Sequence, residues 1–109
     1  MVDIRLYMAQ RISALIMLPL IIGHIVMMIV AVQGGLTAGE ILSRTQGSVG
    51  WALYYGIFVI AVAVHASIGV RTIAHEWAGV PQRWLGALTM AIAVGLTLLG
   101  LRAVYAVVA

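Results

Sequence analysis

Three apolar stretches, at about 12–32, 49–74 and 85–101, decide what this chain can become. Each approaches the roughly 20 residues an α-helix needs to cross a hydrocarbon core about 30 Å thick. Inside lipid no water satisfies the backbone N–H and C=O groups, so such runs are helical. The predicted helices cover about 8–33, 48–76 and 82–106, within a single transmembrane domain formed by residues 1–109. Charged residues make up 8% of the chain and apolar ones 64%, whereas a soluble domain carries about a quarter charged. The fold class is an all-α membrane protein of three transmembrane helices, its outer face turned to membrane lipid or to other protein.

The connections agree with that division. Gly34-Gly35 stops the first helix as a glycine C-cap would. Thr37 and Glu40 have capping-box spacing, which predicts a short interfacial helix at about 38–44. Ser48 can cap the second span, and Pro81 suits the first turn of the third. Pro19 removes the N–H that would bond the carbonyl of Leu15, so a modest kink is expected there.

Charge excludes some functions and orients the chain. Six arginines and no lysine give +3 at pH 7, but they are scattered, whereas a nucleic-acid partner needs a clustered basic stripe. Without cysteine, the chain has no disulfide, iron–sulfur cluster or thiolate zinc site of its own. The first apolar run is too long for a cleaved signal, and no Arg/Ser-rich transit peptide precedes it. A bacterial inner membrane is therefore expected, with a multi-pass topology. Arg5, Arg11, Arg71 and Arg83 lie on the N-terminal side and Arg44 and Arg102 on the other, which places the N-terminus in the cytoplasm. Tyr7, Trp77 and Trp84 mark one interface; Trp51, Tyr54, Tyr55 and Tyr105 mark the opposite one.

Ionisable residues within spans are costly and usually functional. His65 stands deep in the second span, and His65, Gly69, Thr72 and Glu76 follow at helical intervals on one face. A glycine one turn from a histidine leaves room for a flat cofactor. Arg71 lies just off this stripe and suits a propionate, a quinone or a lipid phosphate. His65 is open to two readings: a hydrogen bond between helices, or the axial ligand of a haem iron. His24 in the first span is 13 residues beyond Arg11, and His65 is 12 before Trp77. At about 1.5 Å per residue these offsets are about 20 and 18 Å, which predicts comparable depth. His24 is a candidate second ligand, propionate partner or, on spacing, interhelical hydrogen-bond partner. His75 reads as interfacial, and the six methionines as ordinary span residues.

The segment from His65 to Trp77 resembles the His-x3-Gly-x-(Arg/Trp)-x4-(Asp/Glu)-aromatic signature of the membrane-anchor subunits of succinate dehydrogenase and fumarate reductase, respiratory complex II. Gln10-Arg11-Ile12-Ser13 likewise resembles the Arg-x-Ser opening of their first helix. The resemblance covers the whole chain. It implies half of a six-helix haem-binding bundle, with His65 as axial ligand of a haem b iron and Arg71 at a haem propionate or quinone. The family's usual first helix has no histidine where His24 stands, although anchors with two haems place a ligand in that helix at a different spacing, so a second haem with His24 as its contact stays open. The resemblance also implies a ubiquinone or menaquinone site formed by Tyr7, Arg11, Ser13, Glu76 and Trp77. In the cytochrome b (C) type of anchor a serine precedes the quinone-binding arginine by one turn; here Tyr7 holds that place. In the D type an Asp-Tyr pair ends the second helix; here it is Glu76-Trp77. An indole donates a hydrogen bond but cannot relay a phenolic proton. Implied partners are a second anchor subunit, an iron–sulfur subunit and a flavoprotein; no catalysis by this chain alone is implied. A haem b anchor of another dehydrogenase, or a haem-free transport or scaffold subunit, would use the same residues differently.

Overall fold

The structure, a computed structural model, describes residues 4–109. Helix α1 runs Ile4–Gly34, α2 Ala38–Thr45, α3 Val49–Glu76 and α4 Gln82–Val108, with no strand among the described residues. Three of the four are long and apolar enough to cross a membrane. The body is 48 Å long and about half as wide, at 23 × 22 Å. That length matches a bilayer of about 40–45 Å including its headgroups.

Local chemistry sets the boundaries. Gly35 closes α1 at φ +125°, a region an L side chain rarely enters. Thr37 and Glu40 form both bonds of the capping box, at 3.2 and 3.1 Å. The Ser48 hydroxyl accepts from the Trp51 N–H at the start of α3. Pro81 is the residue that precedes α4, one place before the position expected for it. Helix α1 begins at Ile4, earlier than the predicted residue 8. The polar turn holding Arg5, Tyr7, Gln10 and Arg11 continues the helix into the interface, where the hydrophobic pattern has already faded.

Helix α3 is the middle of the bundle, with α1 and α4 packed against it and α2 laid on the end of α4. Small residues bring these helices close, as they do where lipid gives no hydrophobic drive. Ala61, Ala63 and Ser67 of α3 are buried. A β-carbon on Gly100 of α4 would overlap Val59. Leu85, at 2% exposure, closes the α3–α4 turn. Helix α1 is held more thinly, because Ser13 is its one buried residue among those described.

Candidate functional site

Two contacts set the register between α1 and α3. Ser13 Oγ lies 3.4 Å from His65 Nδ1. Gln10 Nε2 lies 3.5 Å from where a β-carbon on Gly69 would be. Gln10 and Ser13 on α1 therefore face His65 and Gly69 on α3, in antiparallel steps. Ser13 is 5% exposed, and its hydroxyl also donates to the Gln10 carbonyl at 2.9 Å. His65 Nε2 has no partner among the described residues, and the ring is only half-buried.

The stripe expected on α3 is thus occupied on one side by α1 itself. Gly69 faces the amide of Gln10 and not an open slot. Thr72 turns its hydroxyl back to the Ile68 carbonyl. Gln10 escaped sequence reasoning, although it lies one turn before Ser13 on the same face. Its Oε1 is buried without a hydrogen-bond partner, which makes it an unsatisfied acceptor on the amide that faces Gly69.

His24 does not share the level of His65. Its ring sits edge-on to Tyr55 and Phe58, with centroids at 6.0 and 5.5 Å. Those residues precede His65 on α3 by seven and ten positions, or about 10–15 Å along the axis. The expected comparable depth fails because Arg11 and Trp77 are not at one interface level. By the register above, Arg11 stands opposite residues 67–68, so Trp77 extends about 14 Å beyond it. The two histidines cannot bind one iron from this arrangement. Nor does His24 form the expected interhelical hydrogen bond, because its Nδ1 is buried and unbonded.

The remaining candidates lie toward the N-terminal rim but on different faces. Arg11 is two residues from Ser13, on the side of α1 turned away from α3. Its guanidinium packs over the Tyr7 ring at 5.7 Å. Arg71 is half-buried on α3, near the level of Tyr7, and has no ion-pair partner among the described residues. Glu76 and Trp77 end α3 in the open, Trp77 at 86% exposure. His75 pairs through Nδ1 with the Val80 carbonyl at 3.1 Å and so fastens the turn.

Two grooves flank α3. One, of about 560 Å³, runs between Ala9, Ser13 and Ile16 of α1 and Gly56, Ala61 and Val64 of α3. The other, of about 600 Å³, lies between α1 and α4 on the opposite side, lined by His24, Tyr55 and Gly100 and roofed by Ile41 and Thr45 of α2. Both are of the size that holds a small molecule or part of a helix. Among the described residues no group of three or more histidines and carboxylates gathers as a metal cage.

Among curated proteins and among solved structures nothing matches this chain. Residues 2–102 match the family of the succinate dehydrogenase/fumarate reductase transmembrane subunit. With nearly the whole chain covered and three membrane-length helices in place, the protein belongs to that family and is a membrane subunit of this kind of complex.

Proposed function

We propose that this chain is the haem b- and quinone-binding anchor through which a succinate dehydrogenase/fumarate reductase-type complex passes electrons from its iron–sulfur subunit to quinone. One observation carries the haem half. The Ser13 contact occupies His65 Nδ1 and leaves Nε2, on a half-buried ring, as the available lone pair. Neutral imidazole with one nitrogen held and the other bare is the usual state of a metal-ligating histidine. The donor set fits a haem shared between two subunits: one histidine at this level here, the other axial ligand from a second anchor subunit. Bound there, the haem would accept and return single electrons and pin the two subunits together.

The chain's own residues hold what approaches. Arg71, half-buried and without an ion-pair partner, supplies a guanidinium suited to a carboxylate. Arg11 and Tyr7 together present donors on the outer face of α1, toward the partner subunit, where a quinone oxygen accepts them. Glu76 and Trp77 stand farther out, at the rim, where Glu76 exchanges protons with water and Trp77 anchors the interface. This rim faces the cytoplasm in the orientation set by arginine, in a bacterial inner membrane, and docks the soluble subunits. The quinone is ubiquinone or menaquinone.

The test is a dithionite-reduced minus oxidised spectrum of the complex purified in mild detergent, for wild type and His65→Ala. A b-type α-band that the substitution abolishes supports the reading. An assembled wild-type complex without that band overturns the haem half and leaves a haem-free anchor or scaffold.

A further inference from the structure

We infer that Ser13 is a positioning residue for His65: its hydroxyl fixes the imidazole tautomer and raises the donor strength of Nε2 toward the iron. The inference rests on the haem reading above. A serine hydroxyl carries one hydrogen and two lone pairs. The Gln10 carbonyl can only accept, so the hydrogen of Ser13 goes there, at 2.9 Å. Toward His65, 3.4 Å away, Ser13 has only lone pairs left to offer. The hydrogen on that contact therefore belongs to His65 Nδ1, and Nε2 is left bare.

The chain of bonds runs from His65 Nδ1–H to Ser13 Oγ–H and on to the Gln10 carbonyl, each polarising the next. It lies between two helices with Ser13 at 5% exposure, so water does not compete for it. An acceptor on Nδ1–H pushes electron density onto the ring and strengthens Nε2 as a ligand. A stronger donor favours the ferric state and lowers the haem potential. Ser13 has no hydrogen left for a quinone oxygen, so the role implied for it by the Arg-x-Ser resemblance passes to the histidine's support.

The experiment compares Ser13→Thr and Ser13→Val in the co-expressed complex, which differ in a hydroxyl but hardly in shape. Haem content per complex and a redox titration of the α-band are read. Ser13→Thr is expected to keep the wild-type potential. Ser13→Val is expected to titrate at a more positive potential and to lose haem on the order of tenfold faster on dilution. Ser13→Ala, which adds no bulk, is expected to follow Val. Equal potentials and haem retention in the Thr and Val variants overturn the inference while leaving the haem reading intact. Absence of haem from the wild-type complex overturns both.

Discussion

Tyr54 of α3 donates its phenolic hydrogen to the carbonyl of Leu20 on α1, and it does so directly over Gly23. A β-carbon at Gly23 would overlap the phenol oxygen. The pair fastens α1 to α3 some two turns beyond Ser13, toward the α2 end. With Ser13 and His65 at the other contact, it fixes the register on which every level in this molecule depends.

Gly23→Ala is expected to push Tyr54 away and break that bond. Tyr54→Phe should remove the bond alone, at about 0.6 kcal/mol, with up to about 1.7 at the high end for such bonds in lipid. Gly23→Ala should be worse than Tyr54→Phe because it adds overlap to the lost bond. Thermal unfolding of the detergent-solubilised complex checks the order; a Gly23→Ala protein as stable as wild type would refute the packing.

The helices, their order and most caps could be read from sequence, because Gly35, Thr37, Glu40 and Ser48 act through neighbours in the chain. The relative depth of His24 and His65 could not, because it depends on how α1 slides against α3. Arg11 and Trp77 lie at different levels, and nothing in a single helix records the offset. The burial of Gln10 Oε1 and the packing of Gly69 against α1 were hidden for the same reason. Period 3.6 tells which residues share a face, not which neighbour covers it.

His24→Phe is expected to be tolerated or stabilising. A buried acceptor or donor without a partner costs about 1–3 kcal/mol, and His24 Nδ1 is such an atom. Phenylalanine keeps the edge-on packing against Tyr55 and Phe58. The reduced-minus-oxidised spectrum should keep its full b-type band, since His24 lies too far along the bundle to share an iron with His65. Loss of that band in a stable His24→Phe complex would tell against the separation.

Thr45→Val is expected to loosen the roof of the second groove. Thr45 is buried, and its hydroxyl donates to the Val107 carbonyl at 2.6 Å. Valine keeps the shape and leaves that carbonyl unbonded, at about 1–3 kcal/mol. Arg44 holds the other end of the connector through two bonds to the Gly35 carbonyl, each 3.2 Å. Protease nicking between 35 and 47 should rise in Thr45→Val and Arg44→Ala alike, and more in the pair. Unchanged cleavage in both single variants would mean that these bonds do not hold α2.

Arg11→Gln and Trp77→Phe are expected to affect quinone reduction independently. Arg11 points away from α3 and packs on Tyr7, while Trp77 sits at the exposed end of α3, about 14 Å farther along the axis by the Ser13–His65 register. Groups that share no ligand and lie more than about 7–10 Å apart have effects that add within about 0.3–0.5 kcal/mol. A quinone ring gripped by both would give a coupling of about 0.5–3 kcal/mol. Steady-state kcat/KM for quinone in wild type, both single variants and the double variant measures that term. Arg11→Gln should lower kcat/KM by raising KM, since it removes a donor to the bound ring, and Trp77→Phe should have the smaller effect. A strongly non-additive double variant would place both side chains on one quinone, and the partner subunit would then have to bend α1 or α3 from the register seen here.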